Sequence, residues 1–379
     1  MVGAITKLTY ESMSELHMFL YKYNGDLTAL RNRAIEHITF IPRKKLYRYR
    51  SFNERELNTL KNNSIWLSSP SSFPDIFDAT IPMQDPYFID FWYSFYHTFE
   101  VAYLALESCL EPGEKIPDKE SFLDEIIKIM NNNSPEEIAN KARKILGDDM
   151  YDSIHNYDAE KVSRVIQSEI EVVTKFLNDL STSPRRSLAI TSFSSKKDNR
   201  NMWENYAGSY TGFCVEYDFS SIGEATSEKE MMDVLRLLPI KYYSKRPTFD
   251  PRELLRRTVQ ANLHLSELSF GDDFLQQYYR SITAKGYDYR AENEWRLLMD
   301  GTNVGEYYFP YVSSITVGKD MCKENEFKMR RTAEELSVPL LKQTISSDNS
   351  TFIYVPCEKL PIPKSLVMGA CEVILAPNL

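Results

Sequence analysis

The 379-residue chain carries 54 acidic against 45 basic side chains, a net charge of −9, which argues against bulk affinity for nucleic acid because such binders are normally basic. Its five widely spaced cysteines include no Cys-x-x-Cys pair and its five histidines show no ligand spacing, so we expect no metal and reduced thiols. The sequence has no basic-then-apolar leader and no run of eighteen apolar residues, so we expect a cytoplasmic protein without membrane contact.

The first part of the chain predicts two helices and then a strand, a helix and a strand. Asp26 is expected to cap the second helix, and Asn53 is expected to cap the third. Pro42 separates the helices from the first strand. The predicted elements are helix 10–23, helix 26–37, strand 45–50, helix 53–62 and strand 64–68.

Residues 87–181 are predicted to be helical throughout and to interrupt a β-rich core. Apolar side chains recur there at i, i+3 and i+4, over 87–109, 118–131, 134–146 and 158–180. We therefore divide the chain into N-terminal helices (1–40), an α+β core (41–86 and 182–379) and a helical insertion (87–181). The insertion is a candidate for binding the target, for gating the site or for forming a homo-oligomer.

Strand patterns return after the insertion, with helices between them. The expected fold is a single α+β domain that carries helical additions. The predicted strands are 188–193, 212–219, 238–243, 294–299, 306–309, 311–317, 338–344 and 352–355, and the predicted helices are 201–206, 227–237, 250–283 and 323–337.

The first polar cluster that exceeds the needs of packing lies on strand 45–50, where Arg48 and Arg50 share one face. Two neighbouring arginines can bind a phosphate or a carboxylate through paired hydrogen bonds. An edge strand kept soluble by its charges is an equally good interpretation.

Serines accompany the ends of two predicted strands. Ser68 and Ser69 follow one strand, and Ser192 and Ser194 lie at the end of another. Small hydroxyls at such places let a ligand approach the backbone and offer it hydrogen bonds. For Ser68 and Ser69, an ordinary Ser-Pro turn is the alternative.

Trp203 and Tyr206 lie three residues apart, so they share one face of the predicted helix. Together they would form a stacking wall for a flat heteroaromatic ring. The same spacing is also typical of the aromatic contact that packs a helix on a sheet.

Glu292 and Glu294 lie where the predicted strand 294–299 begins. In a strand, residues i and i+2 point to the same face, so the two carboxylates are expected to project together. Two such acids repel unless water covers them or a cationic or hydroxyl-bearing ligand meets them. No other cluster contains a general base, so a carboxylate is expected to carry any chemistry. The alternative is a solvated strand entrance in which Glu294 and Arg296 are surface charges.

These segments, in this order, resemble the bacterial domain-of-unknown-function family 2971. The resemblance spans roughly residues 45–300 and is broken by the insertion. That family usually has Asn-Asp-Pro-Phe-Asp after the Ser-Pro turn, and Pro74 of this chain cannot replace a functional asparagine there. The matching residues include Leu46–Ser51, Ser68-Ser69-Pro70, Phe77-Asp78, Asp198-Asn199, Met202-Trp203, Tyr206-Ala207, Gly212-Phe213 and Glu292-Asn293-Glu294-Trp295-Arg296.

The motif layout is similar to that of ADP-ribosyltransferases, which implies a mostly antiparallel split sheet and NAD as the substrate, without a metal. By this resemblance, Arg48 or Arg50 holds the NAD phosphates. Either Ser68 and Ser69 or Ser192 and Ser194 line the nicotinamide pocket, and the nicotinamide ring stacks on Tyr49, Trp203 or Tyr206.

The resemblance also implies the roles of the acids. Glu294 stabilises the oxocarbenium-like ribose, and Glu292 orients or deprotonates the incoming nucleophile. The implied function is that of an NAD-consuming transferase or glycohydrolase that acts as a toxin, a phage-defence effector or a modifier, on an acceptor that the sequence does not identify.

Two other classes of function are considered. A non-catalytic module would keep the fold and bind a nucleotide or a partner. A metal-dependent nuclease or hydrolase is disfavoured, because only two acids cluster whereas such enzymes usually recruit three or more carboxylates.

Overall fold

The computed structural model describes residues 23–108, 118–132, 159–268, 272–348 and 350–357, together with Leu16 and Phe19. These residues form two compact units. The first unit comprises the described residues within Met1–Ile81, Thr182–Pro247 and Tyr278–Leu379, and the second comprises those within Pro82–Ser181 and Thr248–Gln277. The division expected from the sequence assigns 248–277 to the α+β core, whereas these residues cluster with the helical segment.

The described elements follow the predicted order closely. The helices are α1 (Leu27–Ile38), α2 (Glu54–Lys61), α3 (Pro86–Ser108), α4 (Lys119–Asn132), α5 (Ala159–Ser187), α6 (Arg200–Asn205), α7 (Glu228–Leu235), α8 (Arg252–Asn262), α9 (Asp272–Ile282) and α10 (Lys323–Glu335). The strands are β1 (Lys45–Arg50), β2 (Ser64–Leu67), β3 (Leu188–Ser194), β4 (Phe213–Asp218), β5 (Leu237–Pro239), β6 (Lys241–Tyr243), β7 (Ala284–Gly286), β8 (Glu294–Asp300), β9 (Gly305–Tyr308), β10 (Val312–Val317), β11 (Leu340–Ile345) and β12 (Phe352–Pro356).

Eight strands form one large sheet in the order β12-β11-β10-β4-β1-β3-β8-β5. The strands pair antiparallel except β10 and β11, which are parallel. The predicted mixed α+β fold with a mostly antiparallel central sheet is thus confirmed. β1 lies between β4 and β3, so the interpretation of strand 45–50 as an edge strand is wrong.

Two smaller pairs accompany the large sheet, β2 with β9 and β6 with β7. Directly after β2, Ser68 exchanges two backbone hydrogen bonds with Ile190 of β3, each of 2.8 Å. This bridge brings the serine turn against β3, an inner strand of the large sheet.

Two long predicted elements are each divided in the structure. The predicted strand 238–243 is divided at Ile240, because neighbouring residues bond to different strands. The N–H of Ile240 donates to the Glu294 carbonyl, whereas the N–H of Lys241 donates to the Thr283 carbonyl. The predicted helix 250–283 is interrupted after Asn262. His264 adopts a left-handed φ of 59°, and a helix cannot continue through that conformation.

Aromatic side chains fill the core beneath the large sheet. Phe309 lies 5.9 Å from Phe193, 5.6 Å from Tyr217 and 4.7 Å from Tyr311, measured between ring centroids. Tilted and edge-on pairs at these separations add to the free energy gained from burial. The aromatic share of the sequence, 13%, is therefore partly a property of this core.

Within the second unit, α8 packs against α3. Gln260 of α8 donates to the fully buried Glu100 of α3 at 2.8 Å, and Asn262 donates to the Tyr93 hydroxyl at 2.9 Å. Lys119 also pairs with Glu100. These contacts are the physical reason why 248–277 clusters with the helical segment.

Among the described helices, none has the length and apolarity needed to cross a bilayer. The predicted helix 134–146 and most of the predicted helix 10–23 lie outside the described residues.

His37, on α1, is expected to make the stability of the fold depend on pH. Its ring is buried and its Nε2 lies 2.8 Å from the Leu237 carbonyl oxygen. Burial lowers the pKa of His37 from 6.5 to about 4, so the unfolded chain takes up the proton first as the pH falls. The contribution of His37 to the free energy of unfolding should be fully present above about pH 6.5 and should fall by about 3 kcal/mol towards pH 4.

Urea unfolding of the wild type and of His37→Asn between about pH 4.5 and 7.5 measures this dependence. The variant should lose stability less steeply in this range. Part of the slope should remain, because burial also lowers the pKa of His97. Equal slopes in the two proteins would show that His37 is not the group responsible.

Candidate functional site

A cavity of about 320 Å³ opens in the first unit, where β1, β3 and β8 lie side by side. The loop after β2, the strand β7, the turn before β8 and helix α6 complete its wall. The residues that line it are Tyr49, Arg50, Ser68, Phe73, Pro74, Asp75, Asp78, Ile190, Thr191, Ser192, Phe193, Met202, Tyr206, Lys285, Tyr289, Glu292 and Glu294.

The two acids meet in this cavity, but through a turn and not through the pleat of a strand. β8 begins only at Glu294, while Glu292 ends a 3-10 turn and Asn293 between them is left-handed, with φ 49° and ψ 49°. Ser194 donates to the Glu292 carbonyl at 2.7 Å and Asn199 donates to the Ala291 carbonyl at 2.6 Å. The expectation that both carboxylates project together therefore holds for a different physical reason.

The carboxylate of Glu294 is fully occupied by hydrogen bonds. Its Oε1 accepts from Ser192 Oγ at 2.6 Å and from Arg296 Nε at 2.7 Å. Its Oε2 accepts from Lys285 Nζ at 3.1 Å and from Arg296 Nη2 at 3.2 Å. A carboxylate has about four acceptor positions, so a ligand hydroxyl reaches Glu294 only by replacing one of these donors.

Arg296 links Glu294 to the loop that follows β2. Its Nη1 and Nη2 donate to the two carboxylate oxygens of Asp78 at 2.7 and 2.8 Å. Arg185 holds the same loop by donating to the Asp75 and Asp78 carbonyls, each at 2.8 Å. Only 1% of Arg296 and 5% of Glu294 are exposed, so the interpretation of these residues as surface charges is wrong.

Glu292 is the more available of the two acids. Its Oε1 accepts from the Tyr206 hydroxyl and its Oε2 accepts from Lys285 Nζ, both at 2.7 Å. About half of its acceptor positions are therefore taken by these bonds. Because Glu292 lines the cavity, a ligand or a water molecule has a carboxylate oxygen to bind there.

The surroundings push the pKa values of the two carboxyls apart. Burial would raise the pKa of Glu294, but Arg296 and Lys285 outweigh it and lower that pKa to about 2. For Glu292, burial raises the pKa; Lys285 opposes the shift, and the charge of Glu294 adds to it. Glu294 is therefore the permanently ionised member of the pair, and Glu292 is the member suited to exchange a proton.

The two arginines of β1 have different surroundings. Arg48 is buried and is held by Thr191 Oγ1 at 3.2 Å, by Glu56 Oε2 at 3.3 Å and by the Trp66 carbonyl at 3.4 Å. It does not line the cavity, so a direct ligand-binding role for Arg48 is not supported by its position.

Arg50 is the arginine that faces the cavity. Its Nε lies 3.6 Å from Glu56, and that nitrogen is buried without a hydrogen-bond partner among the described residues. Arg48 and Arg55 contact the same Glu56 carboxylate, at 3.3 and 3.4 Å. One carboxylate shared by three guanidinium groups leaves positive charge on this wall, which favours an anionic ligand group.

One serine of each predicted pair reaches the cavity. Ser192 lines it and binds Glu294, and Ser68 lines it beside the bridge to Ile190. Ser194 is fully buried behind the site and supports the Glu292 turn. Ser69 donates to the Arg185 carbonyl at 3.0 Å and caps the short turn at Pro70, as the Ser-Pro alternative predicts.

The three candidate stacking residues differ in whether they line the cavity. Trp203 is fully buried, edge-on to Tyr49 at 5.3 Å and stacked on Tyr210 at 6.4 Å, so it is a packing residue and not a cavity wall. Tyr206 lines the cavity with 39% of its surface exposed. Tyr49 also lines it, while its hydroxyl is directed to the Lys196 and Lys197 carbonyls.

Among the residues of the site that were not anticipated are Lys285, Asp78 as a charge partner, and Tyr289. Lys285 lies on β7, a three-residue strand that no periodicity reveals. The Asp78 contact joins positions 218 residues apart. The sequence did carry a signal for the contact between Arg296 and Glu294. Arg296 stands at i+2 from Glu294, and residues at that spacing in a strand share a face.

Within the described ranges, no group of three or more His, Cys, Asp or Glu side chains is arranged to hold a metal ion. Asp78, Glu292 and Glu294 instead contact Arg296 or Lys285.

The fold and site thus define a mixed α+β protein with a charged cavity where β1, β3 and β8 lie side by side. Residues 202–297 match the model of a family described as "Protein of unknown function (DUF2971)", which supports the resemblance found in the motifs. The matched range runs from α6 into β8 and contains Tyr206, Lys285 and both cavity glutamates. No curated protein and no solved structure shows a significant match to the chain.

Proposed function

We propose that this protein consumes NAD by cleaving the bond between nicotinamide and ribose, as an ADP-ribosyltransferase or an NAD glycohydrolase. The observation that carries the proposal is the arrangement of Arg50, Ser192 and Glu294. They lie on three consecutive strands of the large sheet, β1, β3 and β8, and line one cavity. This is the arginine, serine and glutamate order expected from the resemblance to ADP-ribosyltransferases.

The charges of the cavity suit the two ends of such a ligand. Arg50 favours a phosphate group, and the same lining contains Glu292, with acceptor positions for ribose hydroxyls, and Glu294, which becomes available once a donor is displaced. Ligand pockets commonly measure about 300–1,000 Å³, and 320 Å³ is at the small end of this range. The cavity therefore suits the nicotinamide riboside end of NAD, and the adenosine end extends beyond it.

In the proposed reaction, nicotinamide leaves with the bonding electron pair and ribose C1′ becomes oxocarbenium-like. An ionised carboxylate beside it stabilises the developing positive charge, and the lowered pKa of Glu294 keeps that carboxylate ionised. The incoming hydroxyl or water bonds to C1′ and gives its proton to Glu292, which has acceptor positions to spare. A ribose hydroxyl that binds Glu294 displaces either Ser192 or Lys285 from it.

A second candidate is a non-catalytic module that binds a nucleotide in the same cavity. The observation that favours it is the full set of hydrogen bonds on Glu294. If neither Ser192 nor Lys285 yields its place, the ligand contacts Arg50 and Glu292 but no bond is broken.

Release of nicotinamide from NAD by the wild type and by Glu294→Gln tests the proposal. We expect the variant to release nicotinamide more slowly by a factor of about 10²–10³, because it loses the charge that stabilises the transition state. The matched control is Glu306→Gln on β9, an exposed glutamate outside the cavity, which should keep the wild-type rate.

Equal release by the wild type and Glu294→Gln would contradict the proposed role of this residue. NAD that binds the wild type and remains intact would support the non-catalytic module instead.

A further inference from the structure

Lys285 is a buried cation between the two acids of the cavity. It lies on β7 with 7% of its surface exposed. Its Nζ is 2.7 Å from Glu292 Oε2 and 3.1 Å from Glu294 Oε2, and it lies 4.5 Å from the centroid of the Tyr289 ring. One ammonium group therefore touches both carboxylates and is held in place by an aromatic face.

The charges around Lys285 come from three parts of the fold. Glu292 approaches from the 3-10 turn, Glu294 and Arg296 from β8, and Asp78 from the loop after β2. Arg296 already neutralises much of Asp78 and Glu294, because it bonds to both. Among the described contacts, the carboxylate of Glu292 accepts hydrogen bonds from the Tyr206 hydroxyl and from Lys285. Of these two partners, Lys285 is the cation that compensates its charge.

We propose that Lys285 is a positioning residue that holds Glu292 beside Glu294 as an ionised carboxylate. Two acids this close to one another otherwise share a proton, since like charges in a buried site do not both ionise easily. With Lys285 present, Glu292 keeps a fixed orientation and free acceptor positions for the incoming nucleophile. The kinetic consequence of this assignment rests on the proposed NAD-cleaving function, whereas the electrostatic consequence does not.

The neutral variant Lys285→Met should therefore raise the pKa of Glu292 and leave Glu294 paired with Arg296. We expect the pKa of Glu292 to rise by at least about one unit, because an opposite charge within hydrogen-bonding distance is worth roughly 1–3 units. If the proposed function holds, the acid side of the pH profile for nicotinamide release should move to higher pH by a similar amount. The maximal rate should fall more than the affinity for NAD.

The direct test is a ¹³C NMR titration of the ligand-free protein with labelled glutamate side chains, in which the Glu292 signal is the one absent from Glu292→Gln. The proteins compared are the wild type, Lys285→Met, Lys285→Arg and the matched control Lys241→Met. The control removes a lysine from the neighbouring strand β6, outside the cavity lining. Only Lys285→Met should show the raised midpoint, and Lys285→Arg should stay close to the wild type because it keeps the charge.

An unchanged Glu292 midpoint in folded Lys285→Met would overturn the assignment. If that variant does not fold, Lys285→Gln retains a polar side chain without the charge, and an unchanged midpoint there is equally decisive. A wild type that releases no nicotinamide would count against the proposed function but would leave the titration result valid for Lys285.

Discussion

Arg296→Met is expected to lower the free energy of unfolding by about 3–5 kcal/mol. The arginine is 1% exposed and donates four hydrogen bonds, two to Asp78 and two to Glu294. Its removal leaves two buried carboxylates that have lost their common cation. The loss of stability arises mainly because these buried charges are no longer compensated by Arg296, and not from the lost attraction itself.

Urea unfolding of Arg296→Met measures this effect, with Arg290→Met as the control. Arg290 lies exposed on the 3-10 turn before β8, and its loss should cost less than about 1 kcal/mol. Adding Asp78→Asn to Arg296→Met should cost less than the sum of the two single changes, because one stranded charge is removed. An Arg296→Met protein as stable as Arg290→Met would disprove the proposed role of this ion pair.

Trp203→Ala is expected to destabilise the fold by about 3–5 kcal/mol. The indole is fully buried within a cluster that includes Tyr49, Met202 and Cys214. Its truncation removes the edge-on contact with Tyr49 and leaves a void that rigid neighbours fill only in part. The substitution acts on packing, so its principal effect should be on stability.

Tyr206→Ala is the informative comparison, because Tyr206 follows α6 directly and lines the cavity. It should reduce ligand affinity with a much smaller loss of stability, since Tyr206 is 39% exposed. Chemical unfolding and NAD binding, both measured on the two variants, separate the roles. A Trp203→Ala protein that keeps its stability and loses only binding would restore the interpretation of Trp203 as a stacking residue.

The contrast between Trp203 and Tyr206 shows what a sequence pattern leaves open. Three-residue spacing on a helix puts both rings on one side, but it does not say which ring is covered by the sheet. The tertiary position of α6 decides this, by placing Trp203 over Tyr49 and leaving Tyr206 at the cavity. The sequence therefore predicted the shared face and the two alternatives, and only the fold separates them.

The same limit applies to the arginines of β1. Arg48 and Arg50 were expected on one face, which favoured a joint role in binding. In the structure, Thr191 and Glu56 bind Arg48, whereas Arg50 lies at the end of the strand and faces the cavity. The contact between Glu56 and Arg48 depends on how α2 packs against β1, which the sequence pattern does not show.

The acids were easier to locate because they are close in sequence. Glu292 and Glu294 need only a short segment to meet, and the sheet order then places them beside Ser192 on the neighbouring strand β3. Lys285 reaches both acids from the short strand β7, and Asp78 contacts Arg296 from the loop after β2. Their contacts depend on tertiary packing, for which a single sequence carries no periodic signal.

Product analysis of NAD incubated with the wild-type protein shows directly whether the bond between nicotinamide and ribose is cleaved. The incubation is run in buffer and again with a cell extract that supplies acceptors, and the products are resolved by mass spectrometry. We expect nicotinamide together with an equal amount of ADP-ribose, either free or attached to an acceptor. NAD that stays intact under both conditions, while the protein remains folded, would contradict the proposed function.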